Sequence, residues 1–218
     1  MYIYETTMSE EKKFIYSWEK RETPIMDFSK AQKYLEDVKE ILDKHSIPFF
    51  LFFGTLLGAY REHNFIYLDH DIDVAVLWEY AHLIPSLKDD FINKGYIFCL
   101  GCGVNGKYFD QYITKEEGKE KVDIYALASY KEYRVYARKY VRPNQETKYV
   151  LSPFPNKFFE KFDMINFLGK TYNIPNNVEE LLEYQWGTWW IAAGGQIGWN
   201  KMKSILVPIE EFHEEIGI

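Results

Sequence analysis

The sequence has 218 residues, of which 47% are hydrophobic, 18% aromatic and 27% charged, with a formal net charge of -7. These proportions suit one domain with a large core and exclude a disordered chain. The negative balance excludes non-specific gripping of nucleic acid, which needs Lys and Arg at the phosphates, but it admits a small phosphorylated substrate if a metal ion brings the positive charge.

Residues 1–28 are mostly polar and read as an extension; 29–218 read as a single domain, with a core at about 29–141 and a C-terminal part at about 142–218. No apolar stretch with a cleavage site marks a signal peptide. The longest apolar run, Ile47 to Tyr60, is broken by Pro48, Gly54 and Gly58 and falls short of the roughly 20 residues a membrane-spanning helix needs. The expectation is no transmembrane segment and a reducing cytoplasmic location.

The first predicted element is a helix over 30–44, with Tyr34, Leu35, Val38, Ile41, Leu42 and His45 on one face and Ser29 with Gln32 as a capping box. Ser46-Ile47-Pro48 stops it. Phe49 to Phe53 is apolar on both faces and predicts a central buried strand. Gly54-Thr55 turns the chain into a short helix over 56–61, and Glu62-His63-Asn64 is a loop. A second strand covers 72–77.

Tyr80, Leu83, Ile84, Leu87 and Phe91 mark the apolar face of a helical region over 79–93 that Pro85 kinks or starts, and Gly95 caps it. Strands are expected at 96–100, 108–114, 122–130 and 133–141. Cys99 and Cys102 match a redox spacing but lack a second ligand pair for zinc, and are read as ordinary residues of a strand and turn. Residues 162–169 and 172–175 suggest a hairpin, and Asn177 opens an acidic-ended helix. The Trp-rich stretch 186–199 is expected to be irregular. The fold class is α+β, a mixed sheet flanked by helices, with a small C-terminal helical or irregular region.

Chemistry concentrates in Asp69-His70-Asp71-Ile72-Asp73-Val74. On a strand, alternate side chains share a face and sit roughly 7 Å apart. Asp69, Asp71 and Asp73 then form one row, and Ile72, Val74 and Val76 form the opposite, core-facing row. A row of like charges weakens a strand unless a cation neutralises it, and oxygen-only ligation suits Mg²⁺ or Mn²⁺. An isolated Asp-x-Asp also fits a solvated strand edge or a surface calcium loop.

Three further features favour a metal site. Gly54-Thr55 ends a buried strand where a phosphate could approach the backbone and a helix N-terminus. Arg61, at the end of the short helix, could pair with a phosphate or with one of the aspartates. Asp123 stands alone in the apolar strand Val122-Asp123-Ile124, where an unpaired carboxylate is costly to bury unless the strand is half exposed.

The block Phe53-Gly54-Thr55-Leu56-Leu57-Gly58-Ala59-Tyr60-Arg61, followed by Asp69-His70-Asp71-Ile72-Asp73, resembles the signature of the LicD family, which includes bacterial phosphocholine transferases and the fukutin-related proteins. Val122-Asp123-Ile124 is similar to its third-aspartate strand, and Ile174-Pro175 with Tyr184-Gln185-Trp186-Gly187 resembles its closing motif. His70, Tyr67, Leu68, Gln185 and Trp186 depart from the usual pattern.

The resemblance implies a nucleotidyltransferase fold and an Mg²⁺- or Mn²⁺-dependent phosphotransferase with two ions. Such an enzyme moves a phospho-alcohol group, such as phosphocholine, from a CDP-linked donor such as CDP-choline to a sugar hydroxyl of a glycan or lipid-linked acceptor. Asp71, Asp73 and Asp123 would be catalytic and would bind metal, with Asp69 as a further ligand. Gly54, Thr55 and Arg61 would face the donor, and Lys107, otherwise an exposed turn lysine, is a candidate charge for it. Alternatives with the same fold are a nucleotidyltransferase that moves NMP from an NTP, and a non-catalytic scaffold.

Overall fold

The computed structural model describes residues 26–67, 69–116, 120–140, 147–190 and 204–218. Helix α1 spans Phe28–Lys44 and begins earlier than the pattern suggested. Its cap is Asp27, not Ser29: the Asp27 carboxylate accepts from the backbone N–H groups of Ser29 and Lys30 at 2.9 and 3.2 Å, which satisfies the open donors of the first turn. Ala31, Tyr34, Leu35, Val38, Ile41 and Leu42 are buried along α1. His45 ends the helix instead of joining that face, and its Nε2 lies 2.5 Å from Asp90.

The aromatic run that follows contains only a two-residue strand, β1, Phe50–Leu51. Helix α2, Phe53–Arg61, starts two residues later. Burial, not strand length, explains the run, since Phe52 and Phe53 pack against Phe154 with ring centroids 5.1 and 6.0 Å away. Gly54 and Thr55 therefore lie inside the first turn of α2 instead of in a turn before it. Gly58 lets the returning loop pass close, since a Cβ there would stand 2.6 Å from the Asn64 carbonyl oxygen.

Strand β2 covers Asp71–Leu77. Residues 79–93 form no continuous helix. Two 3-10 turns, Trp78–Tyr80 and Ile84–Leu87, precede a short α3, Lys88–Asn93; Pro85 sits at the start of the second turn, the position its missing N–H tolerates. The chain then runs through β3, Ile97–Leu100, and a small hairpin of β4, Gly103–Val104, and β5, Lys107–Tyr108. Next come β6, Asp110–Thr114, β7, Lys121–Tyr130, and β8, Tyr133–Tyr140.

Strand β9, Lys148–Pro155, was hidden by its prolines. Pro153 and Pro155 pair with β8 but lie beyond the reach of its other neighbour, which pairs only with Lys148 to Leu151, so their missing N–H groups break no bond on that side. The hairpin of β10, Phe162–Phe167, and β11, Lys170–Pro175, is as expected. It turns on Leu168 and Gly169, both at positive φ, the pairing that matches strand twist. Helix α4 covers Val178–Trp186, and β12, Ile205–Pro208, leads into α5, Ile209–Glu215.

Among the described residues one sheet of ten strands runs in the order β10-β11-β1-β2-β7-β8-β9-β12, with β6 beside β7 and β3 beside β6. It is mixed: β1 and β11 are parallel, as are β2 and β7, and the remaining pairs are antiparallel. Ile72, Val74 and Val76 of β2 and Val122, Ile124 and Ala126 of β7 are fully buried, and α1 lies against these two strands. The opposite face of the same two strands carries the acidic side chains. No helix among the described residues is long and apolar enough to cross a membrane.

Candidate metal centre

The parallel register sets Asp71 beside Lys121 and Asp73 beside Asp123. Side chains at paired positions point to one face, so the N-terminal halves of β2 and β7 bring three carboxylates together. One oxygen each from Asp71, Asp73 and Asp123 lies within 4.8 Å of the others. Asp73 and Asp123 are 6% and 8% exposed, and Asp71 is half-buried. Asp123 therefore does not face solvent. Such a hard, all-oxygen set, gathered at a depth where uncompensated charge is costly, fits a divalent cation of the Mg²⁺ or Mn²⁺ kind.

The start of α2 holds Asp73 in place. Gly54 N–H donates to Asp73 Oδ2 at 3.0 Å, and the Thr55 hydroxyl oxygen accepts from Asp73 N–H at 2.9 Å. Phe52 N–H donates to the Asp73 carbonyl at 3.1 Å. Phe53, with a φ of 37°, makes the sharp turn between strand and helix, a conformation a bulky residue keeps only when its surroundings enforce it. Gly54 and Thr55 thus both hold Asp73: the Gly54 N–H expected for a phosphate is used by Asp73.

Asp69 lies in the loop before β2 and so is not on the strand row. Its Oδ1 accepts from His70 N–H at 3.0 Å. Its Oδ2 lies against Gly54, so close that a Cβ on Gly54 would meet it at 2.5 Å. Asp69 therefore walls the site beside Asp73, and the close-set carboxylates are Asp71, Asp73 and Asp123.

Two neighbours of the cluster were not expected from the sequence. Tyr125 O–H stands 3.2 Å from Asp73 Oδ1 and 3.4 Å from Asp123 Oδ2. The Lys121 ammonium pairs with Asp123 and lies 3.3 Å from Asp71 Oδ2. The signal was the same alternation that exposed the aspartates, since Lys121, Asp123 and Tyr125 occupy successive same-face positions of β7.

Burial, then the Asp71 charge, pushes Asp69 up to about 7. Burial raises Asp73 well above the usual carboxylate range, with the charges of Asp71, Asp69 and Asp123 adding to the effect. Asp123 is pushed up to about 6, chiefly by burial, which outweighs the lowering effect of Lys121. Lys121 moves up, since the charges of Asp123 and Asp71 overcome its own burial. All four shifts describe one site with too much negative charge for its depth.

The remaining expected residues lie elsewhere. Arg61 bonds Glu62 through Nε at 3.2 Å and the Trp189 carbonyl at 2.9 Å, and among the described residues it reaches no aspartate of the cluster. It tethers Trp189 to the C-terminal end of α2, where Tyr60 and Trp189 pack with ring centroids 5.5 Å apart. Lys107 lies over the Trp78 ring at 5.4 Å, beyond the C-terminal end of β2. Trp78 is five positions after Asp73, about 17 Å of strand, and Lys107 packs there. Cys99 and Cys102 are free, and burial pushes the Cys102 thiol up, away from the reactive thiolate state. Trp199 lies outside the described residues.

Three carboxylates clustered on a mixed sheet beside a helix N-terminus form a candidate metal centre. Residues 46–177 match the family LicD/FKTN/FKRP, nucleotidyltransferase domain, and the chain belongs to that family. It is 25% identical over 197 residues to "Ribitol-5-phosphate transferase FKTN" of Macaca fascicularis, covering 86% of this chain and 40% of that protein. The Homo sapiens protein of the same name is 24% identical over the same shares. The chain therefore spans less than half the length of these relatives. An uncharacterized protein of Rickettsia typhi is 32% identical over 73 residues, 30% of this chain and 24% of its own. The lincomycin-bound structure of the lincosamide antibiotic adenylyltransferase LnuA superposes with a TM-score of 0.43 at 14% identity, over 69% of this chain and 84% of that one.

Proposed function

We propose that this chain is a metal-dependent phosphotransferase of the LicD type, which moves a phospho-alcohol group from a CDP-linked donor to a sugar hydroxyl of a glycan or lipid-linked acceptor. The observation that carries the reading is the carboxylate cluster Asp71, Asp73 and Asp123 within 4.8 Å, set in the stretch that matches the family. The name of the fukutin relatives favours ribitol phosphate as the group transferred, with phosphocholine next.

Asp71, Asp73 and Asp123 would hold Mg²⁺ or Mn²⁺, with Asp69 beside them. When bound, the cation polarises the donor phosphoryl group and offsets charge on the attacking and leaving oxygens. The acceptor oxygen then bonds to the phosphorus that carries the alcohol, the bond to CMP breaks, and the hydroxyl proton passes to a carboxylate, for which Asp123 is our assignment. Gly54 and Thr55 act behind Asp73, fixing its orientation, and Tyr125 holds Asp73 against Asp123.

The test is CMP release from CDP-ribitol, CDP-choline and CDP-glycerol with Mg²⁺, by the wild type and by Asp71→Asn and Asp73→Asn. Release by the wild type and loss of at least a hundredfold in both variants is expected, on the scale of removing a main source of transition-state charge stabilisation. Undiminished release by both variants would overturn the proposal. Release of pyrophosphate from NTPs, with no CMP from the CDP-linked compounds, would instead identify an NMP transferase.

A further inference from the structure

Lys121 has no part in the mechanism above, yet its ammonium sits among the proposed metal ligands, 3.3 Å from Asp71 and paired with Asp123. It reaches that position from the strand position opposite Asp71, and its side chain is 37% exposed. Its backbone is therefore fixed by the sheet while its side chain stays partly exposed. The Tyr112 ring, on the neighbouring strand, lies 5.8 Å from the ammonium.

We propose that Lys121 is a displaceable counter-cation: it neutralises Asp71 and Asp123 until a divalent ion arrives, then turns outward and holds the donor's phosphate. The inference rests on the metal-centre reading and adds a positioning residue to it. A single ammonium and a divalent cation compete for the same carboxylate oxygens, and the stronger charge wins when the ion is present. Lys is suited to the exchange because its charge is compact and its four-carbon stem is flexible. The partial exposure of its side chain leaves it room to swing off the carboxylates toward solvent. Lys121 thus weakens metal binding to the empty protein and strengthens nucleotide binding to the loaded one.

The opposite signs make the test. Lys121→Met and Lys121→Gln are titrated calorimetrically with Mn²⁺, and then with CDP at saturating Mn²⁺. Both variants are expected to bind Mn²⁺ about tenfold tighter than the wild type and CDP about tenfold weaker, the scale of a single charge-assisted hydrogen bond. A merely structural lysine would weaken both affinities together. Thermal melting in saturating Mn²⁺ verifies that each variant is folded. Mn²⁺ binding that is unchanged or weaker in both folded variants overturns the proposal, as does CDP binding equal to that of the wild type. Absence of Mn²⁺ binding by the wild type itself overturns the metal-centre reading on which it stands.

Discussion

Gly54→Ala separates the metal site from the fold that carries it. A Cβ at Gly54 would stand 2.5 Å from Asp69 Oδ2 and 3.3 Å from Asp73 Oδ2. The first approach is about 0.5 Å inside the 3.0 Å that real Cβ atoms respect (3.0 − 2.5), so Asp69 must move and Asp73 must yield by a few tenths of an ångström. Crowding of this kind costs about 1–3 kcal/mol. Alanine in a helix returns about 1 kcal/mol relative to glycine, leaving a net destabilisation of roughly 0–2 kcal/mol. Metal ligation is less forgiving, because ligand distances tolerate only about 0.2 Å. A shift of Asp73 should weaken Mn²⁺ binding at least tenfold, about 1.4 kcal/mol. Calorimetric titration beside thermal melting reads both quantities. A variant that binds Mn²⁺ as tightly as the wild type would refute the claim that the close approach of α2 sets the ligand geometry.

Three further outcomes are expected. Asp73→Asn should melt a few degrees higher than the metal-free wild type, since burial and three neighbouring carboxylates disfavour the charge it removes, and it should no longer be stabilised by Mn²⁺; a lower melting temperature without metal would contradict this. Thr55→Val leaves the buried Asp73 N–H without its acceptor and should cost about 1–3 kcal/mol in urea unfolding, whereas an unchanged midpoint would show that the hydroxyl is dispensable. The metal-free protein should lose stability as pH rises from 5 to 8, because Asp69 and Asp123 are held up to about 7 and about 6. A raised carboxyl stabilises fully below its unfolded value, near 3.8, and that stability is lost as pH passes the folded value. Saturating Mn²⁺ should flatten the decline, and a melting temperature that rises across this window without metal would contradict the assignment.

Strand periodicity is short and strict, so alternation was enough to put Asp71 and Asp73 on one face, and the cost of burying charge marked Asp123; only the family resemblance joined Asp123 to the pair. The aliphatic face was readable from the same alternation. The parallel register of β2 with β7 was not, since strand order and offset come from pairing across some fifty residues of chain. Without that register, nothing in the sequence sets Lys121 opposite Asp71. The bonds of Gly54 and Thr55 were assigned to a phosphate because nothing in the sequence shows that Asp73 reaches them first. Strand β9 was hidden because two prolines argue against a strand until the short reach of β12 is known.

The shared register of β2 and β7 also acts as a proofreading device. A slip of one residue would place Val122 or Ile124 in the carboxylate cluster and turn Asp123 into the aliphatic core, because side chains alternate faces. The same slip would bury a charge among hydrocarbons and take Asp123 out of the carboxylate cluster. Any misaligned sheet is therefore less stable and also loses the cluster of three carboxylates, so the alignment that satisfies the core is the same one that assembles the candidate metal centre.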